Sequence, residues 1–479
     1  MAPKDRALLL SVRRAIVDLA SAVSQEEHKA VLRTVDVSLN ELVLRQDDSF
    51  YLRYYRDGVA LIRDGVALGL GEASLVDKLP ELDSSVSNQI LGKHTEEVTG
   101  ILTSFLEMVS SPDQASMAAY FKRVMDWELS LYRHWTGVSE LRPSSGVSSG
   151  LTRDTLQSYL RQRFPDEPSL EVTNFTRLFG GFSKLTVMFS TNVTLLGGNE
   201  FVIRAEQASI IAHPGGSSEN EYAVMRYAYE QGVRIPEPLW VELDSAKLGA
   251  RFVVSRRAKG AVFGTTVGAS AQLDEAVLQD LARELVKIHT IAIDRNNPLV
   301  RTSHLADWAA LPTLRDTVLY KLEYWKEILE SSPHSPSPMI ARCFNWLAAN
   351  VPECDDDLSL IHGDYGLHNI LIDDSRVTAV LDWEVTHLGD RAQDVIWLII
   401  CLTGAASYEE VLEFYYRAGG KPISKDRLDF YDVYMSFNLL IVCNIALARL
   451  DQTSENPALA EIGLRVIHTF AQRVKAQIG

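Results

Sequence analysis

The chain has 479 residues, of which 46% are hydrophobic and 23% are charged, the balance of an ordinary soluble globular protein. Its 47 basic and 63 acidic residues give a net charge of −16. Because nucleic acids and anionic membranes attract basic surfaces, this charge argues against either as a partner. At roughly 150 residues per domain, the length predicts about three folding units.

The sequence predicts a cytoplasmic protein. Its four cysteines are scattered and form no C-x-x-C pair, so we expect free, mostly buried thiols in a reducing compartment. They are Cys343, Cys354, Cys401 and Cys443. The apolar run near residue 9 is too short for a signal sequence. Residues 395–402 and 435–448 are apolar but shorter than the ~20 residues of a membrane span, and we predict that both are buried core helices.

Residues 1–142 are predicted to form an all-helical N-terminal domain. Apolar residues recur there at spacings of three and four, as in residues 8–19, 31–42 and 101–108, which is the period of an amphipathic helix. The aromatic-rich residues 49–58 are either a partner surface or an amphipathic helix that packs its aromatic side chains, and the second interpretation is favoured. The domain is a candidate for forming a homodimer or for binding a protein partner.

Composition changes after this domain. Residues 143–150 are rich in Ser and Gly and predict a flexible linker. The next segment, 151–258, is predicted to be a small β-rich lobe, with a first helix over 151–164. Its β-rich runs, separated by Gly, Asn or Pro, are 171–178, 183–189, 201–205, 239–243 and 251–255. From residue 259 to 479 helices dominate, interrupted by a hairpin-like region at 358–382. This is an α+β, bilobal pattern.

The densest polar cluster lies between residues 361 and 384. It reads IHGDYGLHNILI, then the turn-forming DDSR, then VTAVLDWE. Asp364 and Asn369 share one loop, and the predicted hairpin returns the chain so that Asp382 converges on them. Phosphoryl transfer needs such a set, because one carboxylate positions the acceptor hydroxyl and takes its proton. An amide oxygen and a second carboxylate then hold Mg²⁺ against the phosphates.

The segments HGDYGLHN and AVLDWE resemble the catalytic and metal-binding motifs of the aminoglycoside phosphotransferase and choline kinase family, distant relatives of protein kinases. The resemblance covers about residues 165–475. It implies a protein-kinase-like fold with a small β-rich N-lobe and a large helical C-lobe, and ATP and Mg²⁺ as cofactors. It further implies Asp364 as the catalytic base, with Asn369 and Asp382 as Mg²⁺ ligands. His362 is either a general base or a structural residue that holds the loop by hydrogen bonds, and the second interpretation is favoured. By the same resemblance, Asp390 and Asp394 are helix-start or loop-bracing residues.

The N-lobe carries the nucleotide-binding residues that the resemblance implies. The glycines of the turn F-G-G-F-S-K let backbone amides approach phosphates closely. On the strand where kinases carry a lysine, this chain has an arginine, whose expected partner is a glutamate on the following helix. A hinge segment is expected near residues 252–259. The implied set is Gly180, Gly181, Ser183, Arg204, Glu221, Ser255 and Arg257.

Arg204 and the segment GVRIPEP at residues 232–238 resemble one branch of the family, the kinase-like domain fused to acyl-CoA dehydrogenases in some proteins. This likeness implies a small-molecule O-phosphotransferase that acts on a hydroxyl group, with a hydroxyacyl-CoA as the expected acceptor. Two alternatives stay open. One is an aminoglycoside or other antibiotic phosphotransferase, and the other is a nucleotide-binding scaffold of weak activity, since Arg204 replaces lysine.

Overall fold

A computed structural model of the chain describes residues 48–478 except 73, 83–87, 109–114, 136–149, 179–183, 207–214, 265–272, 333, 354–357 and 454–456. Several sequence predictions lie outside the described residues. They are the helical patterns at 8–19 and 31–42, nearly all of the linker, Cys354, and the loop residues Gly180, Gly181 and Ser183.

The described elements follow one another in chain order. The helices are α1 (Asp48–Ala67), α2 (Ser74–Asp77), α3 (Asn88–Glu107), α4 (Ala115–Trp135), α5 (Arg153–Arg163), α6 (Ser218–Glu230), α7 (Glu275–Thr290), α8 (Pro298–Arg301), α9 (Leu305–Ala309), α10 (Leu314–Ser331), α11 (Pro338–Ala349), α12 (Ala392–Cys401), α13 (Tyr408–Arg417), α14 (Lys425–Thr453) and α15 (Pro457–Ile478). The strands are β1 (Val172–Leu178), β2 (Lys184–Leu195), β3 (Gly198–Glu206), β4 (Pro238–Glu242), β5 (Phe252–Arg256), β6 (Ser359–Ile361), β7 (Ile370–Asp373), β8 (Arg376–Val380) and β9 (His387–Gly389).

The chain forms two compact units. The first consists of Met1–Ser145, Leu322–Val351 and Asp432–Gly479, and the second of Gly146–Lys321 and Pro352–Tyr431. The sequence predicts boundaries after residues 142, 150 and 258, whereas this division groups the N-terminal helices with two later helical segments. Apolar periodicity is a local signal, so it does not reveal that segments far apart in sequence share a core.

The first unit has a helical core in which aromatic side chains of α1 take part. The ring of Tyr54 stacks on Trp127 of α4 with 4.1 Å between centroids, and the indole Nε1 donates to the Tyr54 carbonyl at 2.7 Å. The Tyr55 hydroxyl donates to the carbonyl of Pro80 at 2.7 Å. Residues 49–58 therefore belong to an amphipathic helix that packs its aromatic side chains, as the favoured interpretation predicts.

A buried carboxylate ties α4 to α11 within the first unit. Glu128 accepts hydrogen bonds from the hydroxyls of Tyr132 and Ser337 and, at 2.6 Å, from the backbone N–H of Met339. Burial raises the pKa of Glu128. Nearby, Asn345 Nδ2 donates to the carbonyl of Leu106 at 2.7 Å. These bonds show how a segment 200 residues downstream joins the N-terminal helices.

The second unit begins with α5 and a five-stranded antiparallel sheet in the order β1-β2-β3-β5-β4. Side chains alternate across a strand, and the odd-numbered residues of β2 and β3, such as Val187 and Ile203, pack with α5 in one hydrophobic core. The even-numbered residues therefore project from the opposite face, where α6 contacts β3, β4 and β5. Lys184 and Arg204 lie on this face.

The rest of the second unit is helical, with two short pairs of strands. β6 pairs with β9, and β7 and β8 form a hairpin. The two turn residues of that hairpin, Asp374 and Ser375, have φ angles of 45° and 56°, the left-handed conformation that tight hairpin turns require. The predicted α+β organisation, with a small β-rich lobe, a helical lobe and a hairpin inside it, is confirmed.

One helix among the described residues, Lys425–Ala448, is long and apolar enough to cross a membrane, but 78% of its most apolar window is buried within the protein. Such burial is typical of a core helix. Three cysteines, Cys343, Cys401 and Cys443, are free and buried as predicted.

Candidate active site

The loop between β6 and β7 carries the predicted catalytic residue, and Asp394 at the start of α12 anchors it. The backbone N–H groups of His362 and Gly363 donate to the two oxygens of Asp394 at 2.7 and 2.8 Å. His289 Nε2 lies 3.2 Å from the same carboxylate. Burial alone would raise the pKa of Asp394, but His289 and the loop N–H groups outweigh it and lower the pKa. The buried, ionised Asp394 therefore holds the loop, as predicted.

Gly363 gives the loop its shape. Its φ is 85°, and a Cβ atom built there would lie 2.8 Å from the carbonyl oxygen of Val385. Only glycine fits both conditions. The chain therefore turns sharply one residue before Asp364.

His362 is a bracing residue, as the sequence analysis favours. Its Nδ1 accepts from the N–H of Asp364 at 3.2 Å, so its Nε2 must carry the proton that is donated to the carbonyl of Leu381 at 2.9 Å. Burial lowers the pKa of His362 and keeps the ring neutral. The ring thus connects the catalytic loop to the end of the hairpin that leads to Asp382.

The carboxylate of Asp364 is held by three donors. Trp397 Nε1 donates to Oδ1 at 2.7 Å, Asn369 Nδ2 donates to Oδ2 at 2.8 Å, and His368 Nε2 lies 3.1 Å from both oxygens. Burial opposes ionisation, but the interactions with His368 outweigh it and lower the pKa of Asp364. Burial also opposes protonation of His368, yet Asp364 raises the pKa of His368 well above its ordinary value. Asp364 is therefore ionised at neutral pH and fixed in orientation.

The hairpin brings Asp382 beside this loop. Ile370 pairs with Val380, and the N–H of Leu381 donates to the carbonyl of Asn369 at 2.8 Å. Asp382 itself has a φ of 65°. A non-glycine residue in this left-handed conformation is strained, and such strain concentrates at functional sites. The sequence prediction that Asp364, Asn369 and Asp382 converge agrees with this arrangement.

The oxygens of Asn369 and Asp382 suit a magnesium ion. The amide nitrogen of Asn369 donates to Asp364. The amide oxygen, Asn369 Oδ1, accepts no hydrogen bond from any described residue. Asp382 contributes a second hard oxygen donor whose side chain is 28% exposed. Among the described residues, no three His, Cys, Asp or Glu side chains form a metal-binding group. Mg²⁺ characteristically uses only one or two protein carboxylates together with phosphates and water, so the donor set fits.

Arg204 links Asp382 to the small lobe. Its Nε lies 3.1 Å from Glu221 Oε1, and its terminal nitrogen donates to Asp382 Oδ1 at 2.7 Å. Burial opposes the charge on the guanidinium, but the carboxylates of Asp382 and Glu221 raise the pKa of Arg204. The predicted Arg204–Glu221 pair is therefore present. A second cation, Lys184, lies 3.6 Å from the other oxygen of Glu221.

The two hinge candidates lie on and just after β5. Ser255 is buried in β5, paired with Val202 of β3, and the Arg257 guanidinium forms an ion pair with Glu200 at 2.9 Å. The segment that follows reaches the hairpin, where Ala261 exchanges backbone hydrogen bonds with Ile372. The role of Ser255 and Arg257 in nucleotide binding stays a prediction, as does that of Gly180, Gly181 and Ser183.

Sequence reasoning missed Trp397, His368 and Lys184. Trp397 lies in a segment predicted only as a core helix, but it follows Asp394 by three residues, a spacing that places both on one helix face. His368 follows Asp364 by four residues in the same loop. Lys184 is on the strand beside Arg204, and only the register of β2 against β3 brings it to Glu221.

The chain is similar to known phosphotransferases. The profile of the APH phosphotransferase enzyme family matches residues 175–431, more than half of the chain. The chain belongs to this family. The family resemblance seen in the sequence is therefore confirmed.

Two curated relatives differ in what their names describe. Acyl-CoA dehydrogenase family member 11 of Gallus gallus is 25% identical over 366 residues, 71% of this chain and 44% of the relative. Hygromycin-B 4-O-kinase of Escherichia coli is 22% identical over 287 residues, 59% of this chain and 76% of the relative. The chain thus spans less than half the length of the acyl-CoA dehydrogenase relative.

Solved structures of aminoglycoside phosphotransferases are also similar. A putative aminoglycoside phosphotransferase from Ralstonia eutropha is 20% identical, covers 68% of this chain and 98% of its own, and has a TM-score of 0.48. A thermostable mutant of APH(4)-Ia in ternary complex with AMP-PNP and hygromycin B is 20% identical. It covers 68% of this chain and 97% of its own, with a TM-score of 0.41.

Proposed function

We propose that this chain is an ATP- and Mg²⁺-dependent phosphotransferase that phosphorylates a hydroxyl group of a small molecule, with a hydroxyacyl-CoA as the acceptor. The observation that carries the proposal is the position of Asp364. Its carboxylate is ionised, fixed by three donors, and next to an amide oxygen on Asn369 that accepts no hydrogen bond from the described residues.

Asp364 orients the acceptor hydroxyl and receives its proton. The side chain of Asp364 is 34% exposed, so an acceptor hydroxyl can reach the carboxylate and donate to it. Its lowered pKa makes it a weak base, which suits phosphoryl transfer, because that reaction depends on positioning and charge stabilisation more than on early proton removal.

Asn369 and Asp382 would hold Mg²⁺, which supplies charge neutralisation for the phosphates when bound. Arg204 then fixes the positions of Asp382 and Glu221 relative to each other. Its two carboxylate partners come from the end of the hairpin and from α6. The site therefore joins the small lobe to the catalytic loop through side chains that are already paired.

Two observations support an acyl-CoA acceptor. The branch-specific features Arg204 and residues 232–238 resemble the kinase-like domain that accompanies acyl-CoA dehydrogenases, and a relative 25% identical over 71% of the chain carries that name. An antibiotic acceptor is supported by the Hygromycin-B 4-O-kinase relative, which matches at lower identity and over less of this chain but over more of its own length. A scaffold without turnover is disfavoured by the complete set of Asp364, Asn369 and Asp382.

Transfer of labelled γ-phosphate from ATP tests the proposal. The acceptors are 3- and 4-hydroxyacyl-CoA thioesters, the same acyl-CoAs without the hydroxyl, and hygromycin B, each with Mg²⁺. We expect label only in the hydroxylated thioesters and none with Asp364→Asn. A matched control, Asp373→Asn, changes an exposed carboxylate on the same hairpin and should retain activity.

The possible results separate the candidate functions. Label in hygromycin B but in no thioester would refute the acyl-CoA acceptor and favour the antibiotic one. ATP binding without a labelled product from any acceptor, including a metabolite extract, would favour the scaffold. Equal activity of wild type and Asp364→Asn would refute the assigned catalytic residue.

A further inference from the structure

We propose that Lys184 is the side chain that binds the phosphates of the nucleotide, while Arg204 serves to position Asp382 and Glu221. This inference rests on the proposed function. In protein kinases, one lysine on the third strand contacts the phosphates and pairs with a helix glutamate. Here β3 carries Arg204, and the lysine is on the neighbouring strand β2.

Both cations share one carboxylate. Glu221 is fully buried, with Arg204 Nε 3.1 Å from Oε1 and Lys184 Nζ 3.6 Å from Oε2. The register of the sheet, with Thr186 opposite Arg204 and Lys184 opposite Glu206, places the two cations diagonally on the same face. A single negative charge on α6 therefore faces two positive charges on adjacent strands.

Arg204 is committed to its partners in a way that Lys184 is not. Its terminal nitrogen donates a hydrogen bond to Asp382 at 2.7 Å, and its Nε forms an ion pair with Glu221 at 3.1 Å without a hydrogen bond. A planar guanidinium with fixed donors is suited to such bridging. Moving it to a phosphate would release Asp382, the residue expected to bind Mg²⁺.

Among the described residues, Lys184 forms an ion pair with one carboxylate only, that of Glu221. Its ammonium is 3.6 Å from Glu221, which is beyond hydrogen-bond distance, and it donates to the carbonyl of Gly216. An ammonium has three donors on a flexible stem, so it can turn towards an anion while staying near Glu221. Its side chain is only 3% exposed, and a charge so well buried binds an anionic ligand in a dehydrated setting, where the attraction is strong.

The position of Lys184 in the chain agrees with this role. It is the first residue of β2 and directly follows Gly180, Gly181 and Ser183 in the sequence, the residues predicted to approach the phosphates. The local charges also favour phosphate binding at Lys184. Lys184 and Arg204 face the carboxylates of Glu221, Asp382 and Glu384, so a Mg²⁺ ion at Asp382 would make the local charge positive and favour a triphosphate.

Equilibrium binding measured by calorimetry on the full chain tests the inference without relying on turnover. ATP and adenosine are titrated, with Mg²⁺, into wild type, Lys184→Met, Lys184→Arg and Lys247→Met. The last variant is the matched control, because Lys247 is an exposed lysine in the same lobe. Lys184→Met should weaken ATP binding about tenfold to a hundredfold, the range for losing one hydrogen bond to a charged group. Its adenosine affinity should stay within about twofold of wild type, since adenosine has no phosphate.

Steady-state kinetics supply a second measurement. Lys184→Met should raise KM for ATP by more than it lowers kcat, and Lys184→Arg should recover most of the ATP affinity because it keeps the charge. If Lys184→Met does not fold, Lys184→Gln takes its place and is compared with Lys184→Arg. A purely structural lysine would lower adenosine and ATP affinity together.

The outcomes distinguish this inference from the proposed function. Equal ATP affinity in wild type and Lys184→Met, or an equal loss for ATP and adenosine, overturns the role of Lys184 and leaves the proposed function intact. Absence of ATP binding by the wild type overturns both.

Discussion

Asp394→Asn should release the catalytic loop while leaving the volume of the side chain unchanged. Asp394 is fully buried and accepts from three donors, namely the N–H groups of His362 and Gly363 and the ring of His289. An asparagine whose oxygen takes the place of Oδ2 still accepts from His362 and His289, and its amide nitrogen then faces the N–H of Gly363. A buried donor left without a partner costs about 1–3 kcal/mol, so we expect a loss of about that size in unfolding free energy.

The same change should also lower kcat, because Asp364 follows Gly363 directly. Displacement of a catalytic group by about 1 Å can reduce the rate on the order of a hundredfold. Hydrogen exchange measured by mass spectrometry on the peptide covering residues 358–372 reports the loop locally, and urea unfolding followed by circular dichroism reports stability. We expect faster exchange of the 362 and 363 amides together with a lower kcat.

Asp390→Asn is the matched control for Asp394→Asn. Asp390 is equally buried in the same segment, but it pairs with Arg427 and accepts from the N–H of Ala392 rather than from the catalytic loop. It should lose stability with little change in kcat or in exchange of the loop amides. Unchanged exchange and kcat in Asp394→Asn, or an equal fall of kcat in both variants, would refute the anchoring role of Asp394.

Three further predictions concern orientation, pairing and pH. Trp397→Phe removes the donor to Asp364 Oδ1 and should lower kcat about tenfold at similar KM for the acceptor; a change confined to KM would contradict it. Arg204→Gln leaves Glu221 and Asp382 without their shared cation, so the Mg²⁺ concentration for half-maximal activity should change, and an unchanged Mg²⁺ profile would count against the bridge. Burial lowers the pKa of three histidines in the second unit, so the stability they contribute is present above pH ~6.5 and is lost as the pH falls. They are His304, His362 and His387, the last with a pKa of about 3. His368 acts in the opposite direction because its pKa is raised. With three histidines against one, the net slope of unfolding free energy against pH near pH ~6.5 is expected to be positive. Urea midpoints between pH 7.5 and 5.5 measure this slope, and midpoints independent of pH would refute it.

Much of the candidate site is visible in the sequence because its spacing is local. Asp364 and Asn369 share one loop, and the turn residues Asp374 and Ser375 mark the hairpin that returns the chain towards Asp382. The β-rich runs and the helix with Glu221 likewise follow from short-range patterns, and the described strands lie within a few residues of them. For these parts, turn chemistry and alternation of side chains carry the information.

Other features depend on contacts between segments that are distant in sequence. Trp397 reaches Asp364 only because Asp394 holds the loop against α12, and Lys184 meets Glu221 only through the strand register. The helices of residues 322–351 and 432–479 join the N-terminal helices through contacts such as the Glu128 carboxylate with Met339. Local periodicity predicts that such helices exist but not which helices share a core.

The pairing of Arg204 with Asp382 explains why an arginine at this position does not by itself indicate an inactive kinase. In protein kinases, the third-strand lysine has two tasks: it contacts phosphate and it pairs with the helix glutamate. In this chain the tasks are carried by groups on two strands, since Arg204 bridges two carboxylates and Lys184 adjoins the same glutamate. A bidentate cation can hold both carboxylates at once, which a lysine does less well. Arginine at this position therefore connects the small lobe to Asp382, the proposed Mg²⁺ ligand, while the proposed contact with the phosphates falls to Lys184.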